Sequence, residues 1–326
     1  MFTRRQILGT ALALSAGRPA WAAAAEAGFP SRPIRFVVPF PPGGGTNFLG
    51  RALAQKLTTG LGQPVVVENR EGAGGSIGAS LVAKADANGY TMLMGASSTM
   101  AVNPHLYKTL PYDTLKHFLP VSLLATVPIV LFVNKSLPVR SVQELIAYAK
   151  ANPGKLNFAS AGNGSVGHLS GELLKKMAGI DIVHIPFKGS APAMTSLIGG
   201  QVQMMFDSPL SGMPHVKAGT VAALACGGAQ RSAILPGMPT MAESGLPEFK
   251  AVLWYGLYVP AGTAEATVAR LNAETVKALR SADLRESLER DGFEAVGNSV
   301  AEFDAFWKAD FARWSGVVEG AGIKLD

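Results

Sequence analysis

The stretch Phe36–Lys56, FVVPFPPGGGTNFLGRALAQK, reads as a buried strand, a Pro-Gly loop and an amphipathic helix in succession. Phe36, Val37, Val38 and Phe40 make the short apolar run of a strand covered on both faces. Pro41 and Pro42 stop it, and Gly43, Gly44 and Gly45 supply a backbone with no side chains in the way. Thr46 or Asn47 is a good N-cap. Leu49, Ala52, Leu53 and Leu57 then recur at helical spacing and predict a helix over 46–60. A glycine loop feeding a helix start presents free N–H groups beside the positive end of the helix dipole, which is a ready anion site. The expectation is an organic anion held there, with a second such loop closing on it.

Working outward, Pro64–Glu68 reads as a second strand, 76–84 as a helix after Glu71-Gly-Ala-Gly-Gly-Ser76, and Thr91–Gly95 as a third strand. This alternation predicts an α/β fold with a parallel sheet and helices on both faces. Val121–Val133 is a long β-branched run, taken as a first crossing between lobes, and Val252–Val259 as the return. Between them lie a capping box at Ser141 and Glu144, a strand at 156–161, the loop GNGSVG at 162–167, a helix at 165–178 and strands at 181–186, 202–206 and 221–226. A second capping box, Ser299 to Glu302, opens a helix with Phe303, Phe306, Trp307, Phe311 and Trp314 on one side, a stripe read as core. One lobe is expected over 29–124 plus 252–326 and the other over 125–251. Two extended crossings describe a hinge, with the cleft between strand C-terminal ends.

The chain of 326 residues, 48% hydrophobic with 37 Gly and 21 Pro, is long enough for two domains. Residues 1–22 read as a cleaved signal peptide of twin-arginine type. Arg4 and Arg5 precede an apolar stretch, and Ala20-Trp21-Ala22 is an A-x-A cleavage site. The expected destination is the periplasm, with no later stretch long enough to span a membrane. Cleavage removes Arg4, Arg5 and Arg18 and no acid, so the formal charge falls from +6 to +3. The remaining Lys and Arg are scattered, so no nucleic-acid partner is expected. Cys226 is the single cysteine and reads as a buried, inert thiol.

Nucleotide and metal chemistry find little support. Gly162, Gly164 and Gly167 match G-x-G-x-x-G, yet Asp181 opens the next strand instead of closing it, where a ribose-binding acid belongs. There is no G-K-[ST], and His105, His117, His168, His184 and His215 fall into no metal spacing. No cofactor is expected. Ser165 stands at a strand-to-helix turn, as a hydrolase nucleophile would, but its flanks are not G-x-S-x-G and an N-cap role explains it. An α/β enzyme using Ser165 and His168 is the alternative reading.

In the binding reading, Gly44, Gly45 and Thr46 offer N–H groups to one carboxylate, and Gly164, Ser165 and Val166 offer them from the other lobe. Alternatively the glycines serve tight strand–helix turns alone. Ser97, Ser98 and Thr99 donate hydroxyls or simply form a turn. His168, in the first turn of its helix, acts as a neutral donor or packs. Lys188 is a counter-charge or a solvated lysine. Asp207 either orients loop N–H groups, receives a substrate ammonium or is structural.

Several stretches together carry a family resemblance. They are Pro39–Thr46, Val67–Gly75, Asn157–Ser165 with His168 and Leu169, Phe187–Gly189, and Pro239–Gly245. Together they resemble the tripartite tricarboxylate transporter substrate-binding proteins, known as the Bug family, over residues 29–326. The resemblance implies a two-lobed periplasmic binding protein (Venus flytrap) fold. It implies closure on a small organic carboxylate and transient delivery to the membrane components of a tripartite tricarboxylate transporter, or sensing. A monomer is expected. The ligand-binding set is then Phe40, Gly44, Gly45, Thr46 and Asn47 in the first loop and Ser97 and Ser98 after the third strand. The other lobe supplies Gly162, Asn163, Gly164, Ser165, His168, Gly189 and Asp207. Three positions depart from the family pattern: Asn47 where Asp is usual, Glu71 where Pro is usual, and Phe187 where Tyr is usual.

Overall fold

The structure, a computed structural model, describes residues 28–42, 45–228 and 230–321. The expected signal peptide, 1–22, and Gly44 lie outside the described residues. Two sheets organise the chain. The first holds β1 (Ile34–Val38), β2 (Val65–Asn69), β3 (Thr91–Ala96), β4 (Phe118–Pro128), β10 (Val252–Pro260) and β11 (Glu294–Ala295). The second holds β5 (Val130–Asn134), β6 (Leu156–Ser160), β7 (Ile182–Pro186), β8 (Met204–Asp207) and β9 (Val221–Cys226). The strand orders are β11-β4-β10-β3-β1-β2 and β7-β6-β8-β5-β9.

Apart from β11 the two orders are the same pattern. Each sheet has three parallel strands, β2-β1-β3 or β7-β6-β8, followed by one antiparallel strand, β10 or β5, and a last strand beyond it. The helices are α1 (Gly45–Leu61), α2 (Ser76–Ala83), α3 (Asn103–Leu106), α4 (Thr114–His117), α5 (Val142–Ala151), α6 (Val166–Ala178) and α7 (Ser190–Ile198). They continue with α8 (Pro209–Lys217), α9 (Glu265–Leu279), α10 (Ala282–Arg290) and α11 (Val300–Ala321). Loops at the C-terminal ends of β1, β3, β6 and β8 feed helical segments, the arrangement that places ligands in open α/β sheets.

The chain changes sheets at Ile129, between β4 and β5, inside the run read as the first crossing. The return differs from its expectation. Val252–Val259 lies wholly in the first sheet, paired with β3 and β4, and the passage back is made by 227–251. That segment is pinned at both ends: Gly227 N–H donates to Ile129 O at 2.7 Å and Ala251 N–H to Gly227 O at 2.8 Å. An aromatic strand can look like a crossing because both are apolar and extended.

One hydrophobic core joins the sheets. It takes Val37 and Leu93 from one, Leu131, Phe158 and Phe206 from the other, and Trp254, Phe303, Trp307 and Trp314 from β10 and α11. The aromatic stripe of α11 is core as read: Phe303, Trp307 and Trp314 are fully buried and Phe306 and Phe311 partly so. Each such side chain contributes about 1.5–3 kcal/mol by burial. Their indole N–H groups find acceptors, Met100 O for Trp307 and the Asp310 carboxylate for Trp314 and Trp254. α11 also packs on α6 of the second sheet, so the C-terminal helix braces both halves. The Ser299–Glu302 box forms reciprocally, while at the other Ser141 Oγ accepts from Glu144 N–H and the Glu144 carboxylate accepts from Arg140 N–H instead of Ser141 N–H.

Candidate functional site

The first glycine loop follows β1. α1 begins at Gly45, one residue before the predicted start, so Thr46 and Asn47 stand inside its first turn and neither is the N-cap. Glycine at the first helical position lets the helix start early, since it tolerates the close approach of Phe293, whose ring edge lies 3.0 Å from where a Cβ would sit. Thr46 is buried close to the hydroxyl of Tyr255 from β10. Burial pushes that phenol up to about 12; the Thr46 side chain works against the rise and the charge of Asp207 adds to it.

Asn47 is not free to meet a ligand. Its Nδ2 donates to Asn69 Oδ1 at 3.0 Å and its Oδ1 accepts from Arg51 Nε at 3.2 Å. Asn69 Nδ2 in turn donates to Phe40 O at 2.8 Å. This amide chain ties the end of β2 to the loop and to the first turn of α1. Both side-chain positions expected to contact ligand, Phe40 and Asn47, therefore sit in a brace, with the Phe40 ring half-buried. Ser97, just after β3, is fully buried and its Oγ has no hydrogen-bond partner; Ser98 opens a short π-type turn, Ser98–Val102.

The second loop follows β6. Gly162 and Gly164 take φ of 135° and 75°, which only glycine adopts without strain. Ser165 is the N-cap of α6, with its Oγ accepting from His168 N at 3.2 Å. The loop amides are largely engaged within the protein. Gly164 N–H donates to His168 Nδ1 at 3.1 Å, Ser165 N–H to Gly162 O at 3.2 Å, Gly162 N–H to Ser160 Oγ at 3.2 Å and Gly189 N–H to Ala161 O at 3.1 Å. This corrects the expectation that Gly164 and Ser165 offer N–H groups to a carboxylate. The His168 ring, expected to be a neutral donor or to pack, accepts at Nδ1 and is neutral, burial holding it down to about 4. Val166, first in the helix, keeps its N–H without an intrahelical acceptor.

Ser165 and His168 do not form a nucleophile–base pair. The serine bonds the histidine's backbone, and the ring Nδ1 is taken by Gly164. Lys188 is exposed and Asn163 is exposed.

Asp207 ends β8 opposite the Tyr255 side. Its Oδ1 accepts from Ser208 N at 2.7 Å, while Oδ2 is buried without a well-placed partner. Burial raises its pKa, and the nearby hydroxyls of Ser190 and Ser211 and the Ser208 N–H oppose the rise. The loop after α10 meets the start of α8 near here: a Cβ on Gly292, beside Phe293, would lie 3.1 Å from Pro209. A cavity of about 650 Å³ lies elsewhere, near the return segment, lined by Thr126, Arg231, Lys250, Trp254, Glu294 and Arg313 among others. Among the described residues no group of His, Cys, Asp and Glu is placed to hold a metal, and no helix is long and apolar enough to cross a membrane.

This layout, two like sheets with helix-feeding loops at strand ends, matches known proteins. The family described as the tripartite tricarboxylate transporter family receptor matches residues 49–323. The chain belongs to this family. Protein BugT of Bordetella pertussis is 41% identical over 298 residues, covering 91% of each chain. The solved structure of R. palustris Rpa4515 with adipate is 39% identical with a TM-score of 0.83, over 91% of this chain and 99% of that one. MatC from Rhodopseudomonas palustris with bound malate is 35% identical with a TM-score of 0.79, over 89% and 100%. These are two-lobed, mixed α/β receptors, and the chain shares that fold.

Of the expected residues, Gly45 and Thr46 stand beside Tyr255, and Asp207 lies close enough to act on its phenol. Tyr255 and Phe293 were not foreseen. Both come from far along the chain; Tyr255 hides in the apolar run of β10, and Phe293 follows α10 with no local pattern. The signal for Tyr255 is faint: a polar-tipped aromatic opposite Ala96, the last residue of β3.

Proposed function

We propose that this receptor captures a small organic carboxylate between its lobes in the periplasm and delivers it to membrane components of a tripartite tricarboxylate transporter. The observation that carries the reading is the meeting of Thr46 and Tyr255 from one sheet with Asp207 and the α8 start from the other. The chain's likeness to receptors holding adipate and malate supports the ligand class. The lobes expected from sequence, 29–124 plus 252–326 and 125–251, would hinge near Ile129 and in 227–251. The protein would act as a monomer.

In this reading the donors from the first lobe are the first-turn N–H groups of α1, at Gly45 and Thr46, with Gly44 in the same loop. The second lobe gives the first-turn amides of α6, at Val166 and Gly167, beyond Asn163. Each charge-assisted bond adds about 1.5–3 kcal/mol and each helix start about 0.3–2 kcal/mol. Three or four donors reach micromolar affinity after ordering costs. The hydroxyls of Ser97, Ser98 and Tyr255 line the same space. The unpartnered Asp207 Oδ2 favours a ligand that brings a donor, a hydroxyl or an ammonium, or a water held beside it.

Calorimetric titration with adipate, malate, citrate, acidic amino acids and aromatic acids tests this. The expected result is selective binding of at least one, weakened about 3–10-fold in Tyr255→Phe, as for one lost hydrogen bond. Absence of binding across the whole panel at millimolar concentration overturns it.

A further inference from the structure

Three side chains, of which only His168 belongs to the expected ligand set, converge behind the second loop. His184 comes from β7, Ser160 from the end of β6 and His168 from α6. The imidazoles of His168 and His184 stack, with centroids 3.8 Å apart and planes at 18°. Phe158 closes the stack on the His184 ring at 4.8 Å. The His184 Nε2 to Ser160 Oγ distance is 2.7 Å.

One assignment satisfies all three Ser160 contacts at once: Oγ donates its proton to Gly162 O at 3.0 Å, accepts from Gly162 N–H at 3.2 Å and accepts from a proton on His184 Nε2. His168 accepts from Gly164 N–H at Nδ1 and so carries its own proton on Nε2. Both rings are neutral, and they stack without charge repulsion. The two glycines of left-handed backbone, Gly162 and Gly164, are thus each held from behind, one through Ser160 and one through His168. His184 touches both holders.

We propose that His184 is a positioning residue for the second binding loop, fixing Gly162 through Ser160 and Gly164 through the stacked His168. This rests on the reading of that loop as ligand-binding. The two glycines set the angle at which the chain enters α6, and that angle aims the remaining amides of Val166 and Gly167 at the cleft. A ring that stacks and a nitrogen that donates are both needed, so no aliphatic or purely aromatic residue substitutes for it.

The test compares wild type with His184→Phe, which keeps a ring and loses the donor, His184→Gln, which keeps a donor and loses the ring, and Ser160→Ala. Amide hydrogen exchange at Gly162 and Gly164 is followed by NMR in ligand-free protein, and affinity for adipate and malate by calorimetry. In His184→Phe the Gly162 amide should exchange about 3–10-fold faster and affinity should fall by a similar factor, the effect of one lost hydrogen bond. His184→Gln should restore Gly162 but leave the Gly164 amide shift displaced, because His168 has lost its stacking partner. Ser160→Ala should reproduce the Gly162 effect, and it carries the test if His184→Phe does not fold. Unchanged exchange at both glycines in His184→Phe and Ser160→Ala overturns the proposal, as does full affinity despite faster exchange. Wild type that binds no carboxylate defeats the receptor reading and removes the binding role, while the exchange data still report whether His184 holds the loop.

Discussion

The loops before α1 and α6 look alike in sequence, glycine-rich and ending at a helix start, yet they are held in different ways. The first is braced by amides from outside it: Asn69 holds Phe40 O, and Asn47 holds Asn69. Thr46 is turned to Tyr255. The second is braced by its own amides, with Gly162, Gly164 and Ser165 all donating inward and two neutral histidines packed behind. A glycine loop at a helix start marks where an anion can bind. Which N–H groups are left for the anion depends on acceptors that the loop meets only in three dimensions.

The largest effect should separate the loops by what lies behind their helix starts. A Cβ on Gly167 would lie 2.3 Å from Phe206 O, a backbone atom of β8 that has no flexible end to give way. Gly167→Ala should lift α6 off β8, destabilise by about 3 kcal/mol and abolish binding of whichever carboxylate the titration panel identifies. A Cβ on Gly45 meets only the Phe293 ring at 3.0 Å, which can rotate aside. Gly45→Ala should therefore cost under about 1 kcal/mol, with the helix propensity of alanine offsetting part of the strain. Urea unfolding of both variants decides it. Equal costs would break the contrast.

Acid should separate the loops next. His168 and His184 are held down to about 4 and about 3, in each case mainly by burial. An unfolded histidine titrates near 6.5. Between these values the unfolded chain binds more protons, so stability falls as pH drops from about 6.5 towards 4. For His168 alone this amounts to about 2 kcal/mol at pH 5. Asp207 works in the opposite sense, since its raised pKa makes the folded state gain protons first. The clean measurement is therefore the difference between wild type and His168→Gln in Tm at pH 7 and pH 5, with hydrogen exchange mapped by segment. Exchange should rise at 161–167 and stay level at 39–47. A uniform rise would mean that the histidines do not act on their own loop.

Much of the frame could be read along the chain because it rests on local signals. The caps at Ser141, Ser165 and Ser299 form as their spacing predicts. Val268, Leu271, Thr275 and Leu279 recur at helical spacing in the sequence and are all buried on α9. The strand at Val221–Cys226 has the predicted bounds. The site was legible in outline and not in its bonds. Thr46 looked like a cap because threonine at a helix start usually is one, but Gly45 had already begun the helix. Gly164 looked free because its acceptor, a ring four residues on, could as well have been a neutral donor or have packed without bonding. Tyr255 carries only the faint mark of a polar-tipped aromatic, since alternate positions of a buried central strand read alike. Each of these depends on a partner in another element.

The finest test concerns position 47, where the resemblance leads one to expect Asp. Asn47 gives Nδ2 to Asn69 and takes Arg51 on Oδ1. Asn47→Asp would strengthen the second contact, which becomes charge-assisted, and would suit the positive end of α1. It would lose the first, because a carboxylate cannot donate, and Asn69 could meet it only by turning its own amide away from Phe40 O. These changes oppose each other, so stability should move by less than about 1 kcal/mol. Binding should respond more clearly than folding. In the proposed reading the first loop binds with dipoles alone, so a negative charge there should weaken the carboxylate found by the titration panel about 3–10-fold at low salt. Raising the salt to 1 M, where the screening length falls to about 3 Å, should shrink that loss. A loss that ignores salt would point to displacement of Phe40 through the amide chain and not to charge. An affinity gain would mean that the first loop, like the second, is built around a neutralised group, and the contrast between them would narrow to which side chain supplies it.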